Sequence, residues 1–224
     1  MLYVTGDTHG SLDYNKLHTM REKFTGEDLL LIAGDFGAVW HKNTLEKDLQ
    51  IYRRLKCKVL FADGNHENFD LLESLPQEEF CGGKVHRAAE NVYHLMRGQV
   101  FTLQGRTVFV MGGAESTDKV RRREGQSWWK QESVTWADVD EGLKNLAAHA
   151  NAVDYVLTHT MPSSLLMRPP FYRRVGVAPN TSEYLLNIFA EQVRFTHWYF
   201  GHWHMDAELG EKYTALYQKV IPLP

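Results

Sequence analysis

The sequence predicts an α/β protein with more strand than a single sheet holds, and three observations carry that reading. Short apolar runs alternate with helical patterns in the first third; strand-like runs then follow one another across tight-turn signals; strands and helices alternate again towards the end. A chain of 224 residues with 43% hydrophobic content is long enough for one well-packed core and short for two, so one domain over 1–224 is expected.

The elements follow in order. "LYV" is a strand, and Ser11 is read as the cap of a helix with Leu17, Met20 and Phe24 on one face. "LLLIA" at 29–33 is a buried strand; Asn43, with Glu46 three residues on, opens a helix carrying Leu45, Leu49, Tyr52 and Leu55 on one side; "VLFA" at 59–62 is the third strand. This βαβαβ order is the grammar of a largely parallel sheet. Turn signals at Arg97-Gly98 and Gln104-Gly105 then predict an antiparallel meander in "NVYHLMRGQVFTLQGRTVFVMGG". A polar stretch from Ala114 to Gln131 precedes a helix near Thr135, with Trp136, Val139, Leu143 and Leu146 at helical spacing. The strand "YVLTH", a proline-rich loop "RPPFYRRVGVAPN", a helix over 182–193, the strand "WYFG" and a hairpin across Gly210 complete the chain.

The 25 basic and 28 acidic side chains leave a net charge of -3, which argues against a basic surface wrapped around nucleic acid, so nucleic acid is admitted as a partner without being favoured. Cys57 and Cys81 lack CxxC spacing, so no disulfide framework is expected and two free thiols fit a reducing compartment. "MLYVTGD" does not read as a leader, and no apolar run is long enough to span a membrane, so a soluble cytoplasmic protein is expected.

Polar residues of one chemical kind cluster where strands end. "VTGDTHG" offers Asp7 and His9, "IAGDFG" Asp35, "ADGNHEN" Asn65 and His66, "VLTHTMP" His159, and "YFGHWH" His202 and His204. The carboxyl ends of parallel strands share one rim, so these distant residues converge there. Mixed oxygen and nitrogen donors suit Zn, Mn, Fe, Co or Ni and suit calcium poorly. Two aspartates, one asparagine and four histidines are too many for one ion, whereas seven ligands with one shared hold two. His202 and His204 are expected on the same side of an extended segment. Any one of these histidines alone reads as an ordinary turn residue, and only the joint arrangement argues for metal. The other six, His18, His41, His86, His94, His149 and His197, read as structural or surface residues. Asp63 and Glu67 read equally well as supports behind the site or as solvated turn acids.

In order, "GDTHG", "GDFG", "GNHE", "LTHTMP" and "GHWH" resemble the motif series of the calcineurin-like metallophosphoesterase superfamily: D-x-H, GD, GNH[D/E], a lone H and G-H-x-H. They span residues 6 to 204. The resemblance implies a four-layer αββα sandwich of two mixed β-sheets flanked by helices. It implies two divalent ions (Mn, Fe, Zn, Ni or Co), with Asp7, His9 and His204 on one, Asn65, His159 and His202 on the other, and Asp35 bridging. His66 would be the catalytic acid beside the metals, and a metal-bridging hydroxide would hydrolyse a phosphomonoester or phosphodiester, the partner being a small phosphate ester or nucleotide. A nuclease, a non-catalytic binding module on the same fold and a structural zinc protein are the alternatives.

The chain departs from the phosphoprotein phosphatase branch, whose second motif reads GDxxD followed by arginine: "GDFGAVW" has Ala38 and Val39 there. The segment "GGAESTDKVRRREGQSWWKQE" offers a substitute. Arg122 is a candidate phosphate clamp and Trp128 a candidate stacking platform; the other reading is an exposed loop docked by its tryptophans. A second basic loop, Arg168 to Arg174, is a weaker candidate for substrate contact.

Overall fold

The structure, a computed structural model, describes residues 1–171 and 179–224, so Arg173 and Arg174 of the second basic loop lie outside the described residues. The chain begins β1 (Leu2–Thr5), α1 (Asn15–Met20), β2 (Leu29–Ile32), α2 (Leu45–Arg53), β3 (Lys58–Phe61) and α3 (Phe69–Glu73). It continues through β4 (Gln77–Phe80), β5 (Gly83–Ala89), β6 (Val92–Leu95), β7 (Gln99–Leu103), β8 (Arg106–Met111) and α4 (Trp136–Ala147). β9 (Ala152–Thr158), α5 (Thr181–Gln192), β10 (Arg194–Phe200), β11 (Ala207–Glu208), β12 (Tyr213–Ala215) and β13 (Val220–Pro222) complete it.

The strands form two mixed sheets, ordered β13-β1-β2-β3-β6-β5-β4 and β11-β12-β10-β9-β8-β7. Each has a parallel centre, β1, β2, β3 and β6 in one and β8, β9, β10 and β12 in the other, with antiparallel strands outside it. Apolar clusters separate the layers. Leu31, Leu60, Val110 and Leu157 fill the space between the sheets, Leu30, Phe61, Leu49 and Tyr52 pack α2 on the first sheet, and Phe109, Val156, Leu146 and Phe189 pack α4 and α5 on the second. Alternate residues of β2, β3, β8 and β9 therefore enter different apolar layers, which is why "LLLI" and "VLF" read as continuous apolar runs. This is the α/β sandwich that the motifs implied.

Four expectations change. α1 starts after a run of turns, its cap position is Tyr14 rather than Ser11, and the cap of α2 is Thr44 rather than Asn43; neither makes a side-chain capping bond. The meander is half right. Gln104-Gly105 joins β7 to β8 as a hairpin, but at Arg97-Gly98 the chain leaves one sheet for the other, because β6 pairs with β3. Trp136 is 61% exposed, so its helical spacing does not place it in the core. The hairpin of β4 and β5 lacks apolar runs, and β13 is only three residues long and ends in proline; both escaped the sequence reading. The helix at Thr135 and the hairpin across Gly210 form as expected, with Thr135 and Asp138 closing a capping box.

Candidate metal centre

Register brings the motifs together. Thr5 lies opposite Ile32 and Ile32 opposite Phe61; in the other sheet Met111 lies opposite Thr158 and Thr158 opposite Phe200. The two parallel blocks end level, so the residues just after those ends meet in one place. The blocks are tied across it: His159 Nδ1 lies 2.8 Å from the Ala33 carbonyl, and the His202 amide donates to Asp7 Oδ1 at 2.9 Å. Gly64 and Gly201 make the approach close, since a Cβ would stand 2.2 Å from Asp35 Oδ1 at the first and 2.2 Å from Asp7 Oδ1 at the second.

Two donor groups result among the described residues. Asp7, His9, Asp35 and His204 each bring one ligand atom within 4.8 Å of the others, as do Asp35, His159 and His202. Asp35 belongs to both: its Oδ2 lies 3.2 Å from His9 Nε2 and its Oδ1 3.1 Å from His159 Nε2. Asn65 joins the second group, its Oδ1 3.3 Å from His159 Nε2. All seven expected residues thus stand together. The extended backbone expected for "GHWH" does not form: φ is 66° at His202 and 47° at His204, and the two rings go to different groups. His9 (43°) and Asp35 (46°) are left-handed as well, a conformation that non-glycine residues hold at a cost and that concentrates at functional sites.

The donor chemistry fits cations. Nδ1 of His159 points at a carbonyl, so it carries a proton, and Nε2 faces the oxygens of Asp35 and Asn65, where a second proton or a metal ion would sit. His9 repeats the arrangement, with Nδ1 2.7 Å from Asp13 Oδ2 and Nε2 facing Asp35. Asp7 Oδ2 is buried and makes no hydrogen bond, although His204 Nε2 stands 3.1 Å away. Lone pairs converging on a buried point require a positive charge between them. The titration shifts express the same demand. Burial favours neutral Asp35, yet the facing His159 and His9 hold it well below the usual carboxylate range. Burial opposes a charge on His159, but Asp35 outweighs it and lifts the ring to about 9; a proton and a metal ion compete for that lone pair. His202, lowered to about 4 by burial and by neighbouring His159, stays neutral and available.

His66 belongs to neither group. Its amide donates to Asp35 Oδ1 at 2.8 Å, its ring meets that of His9 edge to face at 5.1 Å, and Trp40 lies on another side at 6.4 Å. Arg122 Nη2 comes within 3.5 Å of His66 Nε2, the guanidinium being steered by Asp118 at 2.8 Å and the Ser127 carbonyl at 3.2 Å. Burial lowers the His66 pKa; Asp35 opposes this, while His9 and Arg122 add to it. Ala38 and Val39 are fully buried in apolar packing, so the cationic arginine of a distant loop, not an acid of the second motif, is what faces His66. Trp128 sits by Lys119, whose Nζ is 5.9 Å from its ring. Trp129 does the docking, with Nε1 donating to Asp70 at 2.9 Å and its ring against Trp40. Of the second basic loop, Arg168 is exposed.

Several supporting residues escaped sequence reasoning. Asp13, four residues after His9, holds that ring and receives the Tyr217 hydroxyl at 2.9 Å; Tyr217 stacks on His204. Lys16 is buried, its pKa lowered to about 8, and donates to the carbonyls of Gly6, Asp7 and Tyr217. Glu132 receives the amide and hydroxyl of Ser116, whose oxygen lies 3.4 Å from Asn65 Nδ2. Asp63 and Glu67 are buried supports rather than wet acids: Glu67 receives the amides of Phe36 and Gly37 beside Asp35, and Asp63 pairs with Arg97 and His94. Only their position beside "GNH" signalled this.

The chain matches the family described as calcineurin-like phosphoesterase over residues 1–206. It belongs to that family. The match supports metal-dependent phosphoester hydrolysis as its chemistry. No curated protein matches the chain in sequence. A solved crystal structure shares the fold with a TM-score of 0.56 at 13% identity, over 96% of this chain and 88% of its own. A phosphopantetheinyl hydrolase from Mycobacterium tuberculosis aligns over 96% of this chain and 89% of its own, at 15% identity and a TM-score of 0.44. A protein of unknown function from Aquifex aeolicus aligns over 73% and 81%, at 16% identity and a TM-score of 0.38. Among the described residues, no helix of this family member is long and apolar enough to cross a membrane.

Proposed function

We propose that the protein is a dinuclear metal-dependent phosphoesterase, acting as one domain over 1–224 in the cytoplasm on a small phosphate ester or nucleotide. The observation that carries this reading is Asp35, whose two oxygens face His9 and His159 in separate donor groups. Asp7, His9 and His204 would hold one ion and Asn65, His159 and His202 the other, with Asp35 shared. When bound, such a pair supplies a hydroxide nucleophile at neutral pH and neutralises charge on phosphate oxygens.

The chain's own residues do the rest. Arg122 takes a non-bridging phosphate oxygen, which draws its guanidinium away from His66. His66 Nε2, relieved of that donor, takes a proton from solvent and gives it to the departing oxygen, which returns the ring to its neutral form. Asp35 fixes the His66 backbone through the amide, which keeps the acid beside the metals. A non-catalytic module of this fold would be expected to have lost donors, and all seven remain. A nuclease is the second choice, because the net charge of -3 does not favour long polyanions.

The test is a screen of aryl phosphomonoesters, phosphodiesters, dinucleotides and phosphopeptides after loading with manganese, nickel, zinc, iron or cobalt, manganese first. Turnover by the loaded protein, lost on chelation, is the expected outcome. A protein that holds two ions and hydrolyses none of these is a binding module instead. His66→Ala should slow esters with alcohol leaving groups by roughly 10² to 10⁴-fold and activated aryl esters less; equal losses would remove His66 from the acid role.

A further inference from the structure

A cavity of about 490 Å³ opens between α3, strands β5 and β6 and the start of α4; Asp63 lines it and none of the seven candidate donors does. Phe69, Leu72 and Met96 give it an apolar lining, and its volume falls within the roughly 300 to 1,000 Å³ typical of small-molecule sites.

Most of its polar groups are already matched. Asp63 receives Arg97 Nε at 2.9 Å and faces His94 Nε2 at 3.1 Å; Asp138 receives the amide and hydroxyl of Thr135 and lies 3.4 Å from Arg97; Glu141 receives Gln99 and Asn145. Two acceptors, His86 Nε2 and the Glu73 carboxylate, are not. His94 must donate from Nε2 to the Asp63 carboxylate, so its Nδ1 is an acceptor, and His86 Nδ1, 3.0 Å away, must carry a proton. That leaves His86 Nε2 with a lone pair and no partner among the described residues, on a residue only 7% exposed that lines the cavity. Glu73, at the mouth, makes no hydrogen bond or ion pair with a described residue. The walls carry four carboxylates, Asp63, Glu73, Asp138 and Glu141, against two cations, Lys84 and Arg97.

Its buried unmatched atom, His86 Nε2, accepts a hydrogen bond, its carboxylates outnumber its cations two to one, and part of its lining is apolar; that combination selects a donor-rich cation with a hydrocarbon body. An anion meets excess carboxylate there. A bare metal ion is disfavoured, since neither metal-competent donor group among the described residues includes His86 or Glu73. We infer that this cavity binds a small organic cation, an aliphatic amine or guanidinium, between the Glu73 carboxylate and His86 Nε2.

The inference assumes nothing about turnover and is tested by binding. The protein is loaded with manganese, so that amines cannot settle in the metal centre, and titrated calorimetrically with 1,4-diaminobutane and with butylguanidine at neutral pH; 1,4-butanediol and succinate are the controls. Saturable binding of at least one cation and of neither control is expected. Glu73→Gln should weaken it by about tenfold or more, the worth of one charged hydrogen bond, as should His86→Phe. Glu73 is exposed, so its variant stays informative even where His86→Phe disturbs the fold. Absence of saturable binding by both cations, equal binding of the diol, or unchanged affinity in Glu73→Gln overturns the proposal.

Discussion

Asp35 holds its charge against complete burial because His159 and His9 face it, and its two oxygens cannot be replaced one for one. Asp35→Asn keeps the shape and removes the charge both donor groups share. Metal content measured by elemental analysis should fall at both sites and turnover should drop to background. Arg122→Ala removes a charge-assisted contact to phosphate and should lower kcat/KM by about 10 to 100-fold without changing metal content; unchanged kinetics would return the loop to a merely solvated role. His86 supplies the pH test. Burial, reinforced by His94 and opposed by Asp63, lowers its pKa to about 4. Between its ordinary value and that one the unfolded chain takes up a proton that the folded chain refuses, so stability should fall as pH drops through this window and be unaffected above it. Lys84, Gln99, Glu141 and Glu73 surround the same cavity and leave the sign unchanged. Urea unfolding at several pH values should show a shallower slope in His86→Phe.

At the scale of elements, the polar stretch after β8 acts as a brace. Its first residues supply Ser116 and the residue just after the stretch is Glu132, and together they orient the Asn65 amide so that Oδ1 faces His159. If the proposed pair of ions binds, Ser116→Ala should weaken affinity at the Asn65 site by roughly 10 to 100-fold, read by chelator competition, and leave the other site unchanged. Between brace and metal centre, Trp129 locks the stretch to α3 through Asp70, which is what allows Arg122 to be held at a defined place. An ordinary cap stands nearby. Thr135→Ala opens the capping box of α4 and should cost about 1 kcal/mol of unfolding free energy.

The whole molecule is organised around the seam between its sheets. Leu60 is fully buried in that seam, and Leu60→Ala should cost about 2 to 5 kcal/mol in chemical denaturation. The same seam is crossed, at the end where the candidate donors lie, by His159 to Ala33 and His202 to Asp7, so metal held by those donors would also join the sheets. Saturating metal should therefore raise the melting temperature, and chelation should lower it, through preferential binding to the native state.

Sequence alone determined the parallel β1, β2 and β3 of the first sheet and the residues that gather at the candidate metal centre. Strands buried on both faces announce themselves as apolar runs, and histidines and acids placed just after them have one rim on which to meet. Tertiary structure alone decided which strands share a sheet at Arg97-Gly98, the left-handed turn that separates His202 from His204, and the burial of Lys16, Asp13 and Glu132 as supports. The reason is physical. Spacing along the chain reports which face of an element is apolar, whereas a buried polar group is defined by partners that, for Lys16 and Tyr217, stand 201 residues away.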